Sequence, residues 1–103
     1  MAVFEKLTNL EKQADDFGFM WKHPFQILEQ ILSECEEIKH NLEHKGDRNH
    51  LQEEIGDLIH AAFSLCLFCE CDPQETLDKS IDKFERRFKE LKRLVHESGQ
   101  ENL

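Results

Sequence analysis

The chain has 103 residues, 34% of them charged and 39% hydrophobic, with a formal net charge of −9 at pH 7. That length sets a single domain over 1–103 around one modest core, and so acidic a chain has no general affinity for a nucleic-acid polymer. No apolar run approaches the roughly 20 residues of a membrane span. The opening Met1-Ala-Val-Phe-Glu-Lys lacks the basic-then-apolar pattern of a leader, so a cytoplasmic protein is expected.

Two prolines, four glycines and no repeat leave a helical period throughout. A first helix is expected from about Phe4 to Phe17, with Phe4, Leu7, Leu10, Ala14 and Phe17 on one stripe and Gly18 ending it. Pro24 suits the first turn of a second helix. Leu28, Ile31, Leu32, Cys35, Ile38 and Leu42 give that helix its apolar stripe, and Gly46 closes it. Asp47 caps a third helix that runs to about Cys69. Asp72-Pro73-Gln74-Glu75 starts a fourth, with an N-cap, a proline at the first position and a capping-box glutamate. It repeats Leu77, Ile81, Phe84, Phe88, Leu91 and Val95, alternating four and three. Residues 98–103 are expected to fray.

The third helix differs from the rest. Between Leu58 and Cys69 only His60 and Ser64 are polar, so large apolar groups surround its axis. Such a helix needs neighbours on most sides, and three other short helices barely supply them. The expected fold is therefore all-α: a four-helix bundle-like protomer that assembles as a helical dimer or higher oligomer.

Two acidic motifs carry the chemistry. Glu34-Cys-Glu-Glu37 and Glu54-Ile-Gly-Asp57 each set two carboxylates three residues apart, on one face of a helix. With the stripe of the second helix centred near Cys35, Glu34 lies on its flank and Glu37 nearer solvent. With the stripe of the third centred near Leu51 and Ala62, Glu54 and Asp57 also lie on the flank. Packed face to face, the two helices would bring four carboxylates together. Such a cluster calls for a hard divalent cation, Mg²⁺ or in its place Mn²⁺. A solvated acidic face is the plainer alternative.

On the fourth helix Lys83 and Arg87 share one flank, and Arg86 points away from the stripe. The pair suits phosphate oxygens, although ion pairing with neighbouring carboxylates fits the spacing equally well. An acidic flank for a metal and a basic flank for phosphates suggest metal-assisted phosphoanhydride cleavage. Cys66, Cys69 and Cys71 read C-x-x-C-x-C. Lying in or beside an apolar helix with no fourth ligand, they read as small hydrophobes rather than a zinc or redox site. His40 and His44, four apart but without a third partner, read as a solvated face.

These blocks together resemble the MazG-type nucleoside triphosphate pyrophosphohydrolases of the all-α NTP pyrophosphatase superfamily, and most of all the C-terminal catalytic domain of two-domain MazG proteins. The likeness runs from Gly18-Phe-Met-Trp21 through Glu34-x-x-Glu37 and Glu53-Glu-Ile-Gly-Asp57-Leu to Lys83-Phe-Glu-Arg-Arg87-Phe. It implies a homodimer or homotetramer and Mg²⁺-dependent cleavage of a nucleoside triphosphate between the α- and β-phosphates. It further implies that Glu34, Glu37, Glu54 and Asp57 are metal ligands and catalytic groups, and that Lys83 and Arg87 contact phosphate. Trp21 would stack on the base, unless it is a core or interface anchor. His50 is the weaker candidate for reaching phosphate.

Two positions depart from the family pattern. Ser33 stands where the first glutamate of E-E-x-x-E is usual, and Ile81 where an asparagine is frequent. A dUTP/dCTP-type or phosphoribosyl-ATP pyrophosphohydrolase on the same scaffold therefore remains an alternative. So does a catalytically degenerate helical dimer acting as an interaction module.

Overall fold

The computed structural model describes residues 2–103. They form four helices: α1 (Ala2–Phe17), α2 (Pro24–Glu43), α3 (Arg48–Phe68) and α4 (Pro73–Glu97). The architecture is all-α, as the sequence period requires. Residues up to Pro73 make one compact unit and Gln74–Leu103 a second.

Local chemistry sets the helix ends. Gly18 takes φ +101°, and the Phe19 N–H donates to Ala14 O at 2.8 Å. This six-to-one bond closes α1. Pro24 begins α2 with its missing N–H harmless at the first position. The cap before it is His23, whose ring accepts from the Phe25 N–H, while the Gln26 side chain accepts from the His23 N–H at 3.2 Å. Asp47 caps α3 by accepting from the Asn49 N–H at 3.3 Å.

The C-terminus of α2 corrects an expectation. The left-handed residue is Lys45, at φ +51°; Gly46 follows it, and its N–H donates to Asn41 O at 2.9 Å. Glu70 plays the same part after α3, at φ +58°, with the Cys71 N–H donating to Cys66 O at 2.8 Å. α4 closes through Gly99, at φ +88°, and the bond from the Gln100 N–H to Val95 O.

In the first unit, α2 and α3 pack directly on each other, joined by the short turn of a helical hairpin. α1 meets α3 through Phe4 and Phe63, whose ring centroids lie 5.5 Å apart. Ile27, Ala61 and Phe63 are buried in the core of this unit.

The inner stripes keep Phe4, Leu7, Ala14, Ile31, Ile38 and Leu51 of those the sequence predicts and differ at the remaining positions, mostly by one residue. On α1 the half-buried positions are Phe4, Leu7, Thr8, Glu11 and Ala14, whereas Leu10 and Phe17 are exposed. On α2 the inward line is Ile27, Ile31, Glu34, Ile38 and Asn41, and Cys35 faces out with Leu28, Leu32 and Leu42. On α3 it is Leu51, Glu54, Leu58 and Ala61, with Ile55, Ile59 and Ala62 outside. Each of these helices turns a glutamate inward and leaves aliphatic side chains out. Apolar periodicity alone averages two faces into one, which is why it centres the stripe between them.

In the second unit, α4 presents Leu77, Ile81, Phe84, Phe88, Leu91 and Leu94, all exposed. Phe84 and Phe88 stack at 6.2 Å, and Lys92 Nζ lies 5.0 Å above the Phe88 ring. Arg93 holds Glu90 and Glu97.

Candidate active site

α2 and α3 carry Glu34 and Glu54 into their shared interior, 6% and 5% exposed. Gln30, one turn before Glu34, donates to Glu34 Oε1 at 2.7 Å. Glu34 Oε2 and Glu54 Oε1 are buried and accept no hydrogen bond. A buried carboxylate oxygen without a donor is costly, about 1–3 kcal/mol or more for a charged group. In a native interior such an atom marks a place where a catalytic role, a water or an ion completes the pairing. These two oxygens, on facing helices, fit a hard cation with oxygen ligands.

Glu37 and Asp57 are exposed at the flanks of the same two helices. Among the described residues, no three His, Cys, Asp or Glu side chains form a group that could hold a metal ion. The single protomer thus turns two carboxylates into the α2–α3 interior and leaves the other two outside it. His50 lies 3.8 Å from Glu54 Oε2 and the same distance from Glu53 Oε2, too far for a hydrogen bond.

Beside this pair the first unit holds a cavity of about 660 Å³, within the range of small-molecule sites. Glu34 and Asp57 line it, as do Phe19, Met20 and Trp21. Trp21 is 38% exposed, so its ring is reachable rather than locked in the core. Sequence reasoning missed a further group on the wall. Glu11 Oε1 accepts from Ser64 Oγ at 2.5 Å and pairs with His60 Nε2 at 2.8 Å. The signal was present: His60 and Ser64 are the two polar interruptions of the apolar third helix, one turn apart.

In the second unit, Lys83 and Arg87 are exposed one turn apart on α4. Arg86 donates from Nε to Asp82 O at 3.4 Å. Among the cysteines, Cys66 is half-buried in α3, and Cys35, Cys69 and Cys71 are exposed free thiols.

A helical hairpin thus turns two carboxylates inward, each with one buried oxygen lacking a hydrogen bond, beside a cavity that Phe19 and Trp21 line. Residues 22–92 match the model of the MazG nucleotide pyrophosphohydrolase domain, and the chain belongs to that family. Over 90 residues, 87% of its length, it is 37% identical to the nucleoside triphosphate pyrophosphohydrolase/pyrophosphatase MazG of Thermotoga maritima, covering 34% of that protein. Over 97 residues, 93% of its length, it is 30% identical to the nucleoside triphosphate pyrophosphohydrolase of Escherichia coli K12, covering 37% of it. The chain therefore spans about a third of the length of these relatives.

Proposed function

We propose that the protein is a divalent-metal-dependent nucleotide pyrophosphohydrolase, cleaving nucleoside triphosphates at the α–β phosphoanhydride to monophosphate and pyrophosphate. One observation carries this reading beyond family membership. Glu34 and Glu54 each keep a buried oxygen with no partner, on the wall of an interior next to a nucleotide-sized cavity. The names of the two relatives support the reaction class.

In this reading Glu34 and Glu54, joined by the exposed Glu37 and Asp57 one turn further along the same helices, would hold the metal, Mg²⁺ or in its place Mn²⁺. Bound there, a divalent cation supplies charge neutralisation on the phosphates and lowers the pKa of water near it. The chain's own residues do the rest. Gln30 fixes the Glu34 carboxylate by its 2.7 Å bond, which holds Oε2 toward the interior. Trp21 offers a flat face to the base, and stacking of this kind favours affinity over selectivity. Lys83 and Arg87 would take phosphate oxygens, Arg87 with its planar fork, and stabilise the charge that grows on the leaving pyrophosphate.

The working unit is a homodimer or homotetramer. Leu28, Leu32 and Leu42 on α2, Ile55 and Ile59 on α3, and the α4 stripe are exposed, and aliphatic faces of that extent suit a second copy. A reducing, cytoplasmic setting agrees with the exposed thiols of Cys35, Cys69 and Cys71.

Glu54→Gln tests the assignment, because it keeps shape while removing a charged ligand. It should abolish pyrophosphate release in Mg²⁺ and in Mn²⁺ while leaving the circular-dichroism melt cooperative. Wild-type turnover in that variant would remove Glu54 from the site.

A further inference from the structure

We infer that Glu11 is the specificity-determining residue of the cavity: its carboxylate reads the hydrogen-bonding edge of the nucleobase and selects bases that present an amino group. The inference deepens the proposed function and rests on it for the nature of the ligand.

Three observations carry it. First, the cavity is chemically divided. Glu34 and Asp57 bring acid to it and Phe19, Met20 and Trp21 bring flat or soft apolar surface. Glu34 Oε2 is buried there without a partner, which marks where the cation and phosphates belong. The base then goes to the aromatic part.

Second, Glu11 lines the same cavity on α1, and Ser64 fixes its place relative to Asp57. Both belong to α3 and lie seven residues apart, which is about 10 Å along a helix axis. That is of the order of a nucleoside's length from its 5′-phosphate to the far edge of its base. Glu11 bonds to Ser64, so its carboxylate sits at the base end of such a ligand.

Third, Glu11 is held in one orientation. Its side chain is 19% exposed. Ser64 Oγ and His60 Nε2 both engage the same oxygen, Oε1. Among the described residues Oε2 takes no hydrogen bond, and it remains as an acceptor. A carboxylate oxygen accepts and does not donate. It therefore favours the amino group of cytosine or adenine and opposes the carbonyl oxygen at the same ring position in uracil or hypoxanthine. Acceptance of a base amino group by a carboxylate is a general recognition mode, and one hydrogen bond to a charged group contributes about 1.5–3 kcal/mol, or roughly 10- to 150-fold. A purely structural Glu11 would need only its bonds to α3 and would leave base preference untouched.

Trp21 makes this testable apart from catalysis. It is the only tryptophan of the chain and lines the cavity, so its emission reports occupancy. The probes are the α,β-methylene analogues of CTP and UTP, and of ATP and ITP, titrated in Mg²⁺; the methylene bridge prevents cleavage at that bond. Wild-type protein should bind the amino member of each pair at least about tenfold tighter. In Glu11→Gln the amide can turn either its oxygen or its nitrogen to the base, so the ratio should fall toward unity. Ser64→Ala, which frees one of the two bonds on Oε1, should give an intermediate ratio. It carries the same test if Glu11→Gln fails to show a cooperative melt.

Equal affinities within both pairs for the wild type, or an undiminished preference in Glu11→Gln, would overturn the inference. Preferential binding without turnover of the natural triphosphates would sink the hydrolase reading and leave Glu11 as base reader. Turnover with equal kcat/KM within each pair would do the reverse. No binding of any analogue would remove both.

Discussion

Replacing Glu54 by methionine should make the metal-free protein more stable and the metal-loaded protein blind to its cation. Glu54 is 5% exposed, its Oε1 has no hydrogen-bond partner, and His50 stands 3.8 Å from Oε2. Its neighbours along the inner line are Leu51, Leu58 and Ala61. Methionine nearly conserves the volume and removes the partnerless oxygen, whose burial costs about 1–3 kcal/mol. At the lower end, about 1 kcal/mol raises the melting temperature of a domain this size by about 4–8 °C. The wild type should recover the deficit when a cation binds, gaining about 2.7 kcal/mol at a hundredfold excess over Kd. Thermal melts in EDTA, Mg²⁺ and Mn²⁺ read both effects. The variant should melt above wild type in EDTA and show no shift with metal. A lower melting temperature in EDTA, or an equal metal-induced shift in both proteins, would refute the idea that this carboxylate is kept for a cation.

Other expectations concern the scaffold. The Arg93 guanidinium hydrogen-bonds Glu90 and holds its carboxyl below the usual carboxylate range. A depressed folded-state value stabilises above the ordinary carboxylate pKa and loses that contribution as pH falls through the lowered one. Arg93→Ala should return Glu90 to the ordinary range in a carboxyl NMR titration and flatten the acid dependence of stability in that window. Lys45 occupies the left-handed region without being glycine, a strain of about 1–2 kcal/mol. Allowing for glycine's larger unfolded-state entropy, Lys45→Gly should stabilise by about 0.5–1 kcal/mol in urea melts; a loss would show that the Lys45 side chain has an unseen role. Phe84, 70% exposed on the α4 stripe, should be needed for assembly. Phe84→Glu should lower the mass measured by light scattering, and an unchanged mass would take this face out of the interface.

Much of the fold was legible because helix termini are written in local chemistry. Pro24, Asp47, Pro73 and Gly18 mark their boundaries by their own backbone or side-chain properties. The His23 cap was not legible, since histidine is rare there and only the ring orientation reveals it. The stripes were misplaced in part because two apolar faces flank each inward glutamate, and periodicity cannot separate a core face from a face awaiting another chain. The same ambiguity made Glu34 and Glu54 look like flank residues when they are the buried ones. Glu11 was missed for a different reason, since the two polar interruptions of α3 do not name their partner. Its partners His60 and Ser64 lie 49 and 53 residues away in the chain, and only the packing of α1 on α3 joins them.

The most direct test of the central claim is product identity. Standard and modified nucleoside triphosphates are incubated with the protein in Mg²⁺, Mn²⁺ or EDTA, and the phosphorus species are resolved by ³¹P NMR. The account predicts monophosphate and pyrophosphate in equal amounts, with metal and not in EDTA. Silence across the panel from a folded protein, or release of orthophosphate and diphosphate instead, would contradict it.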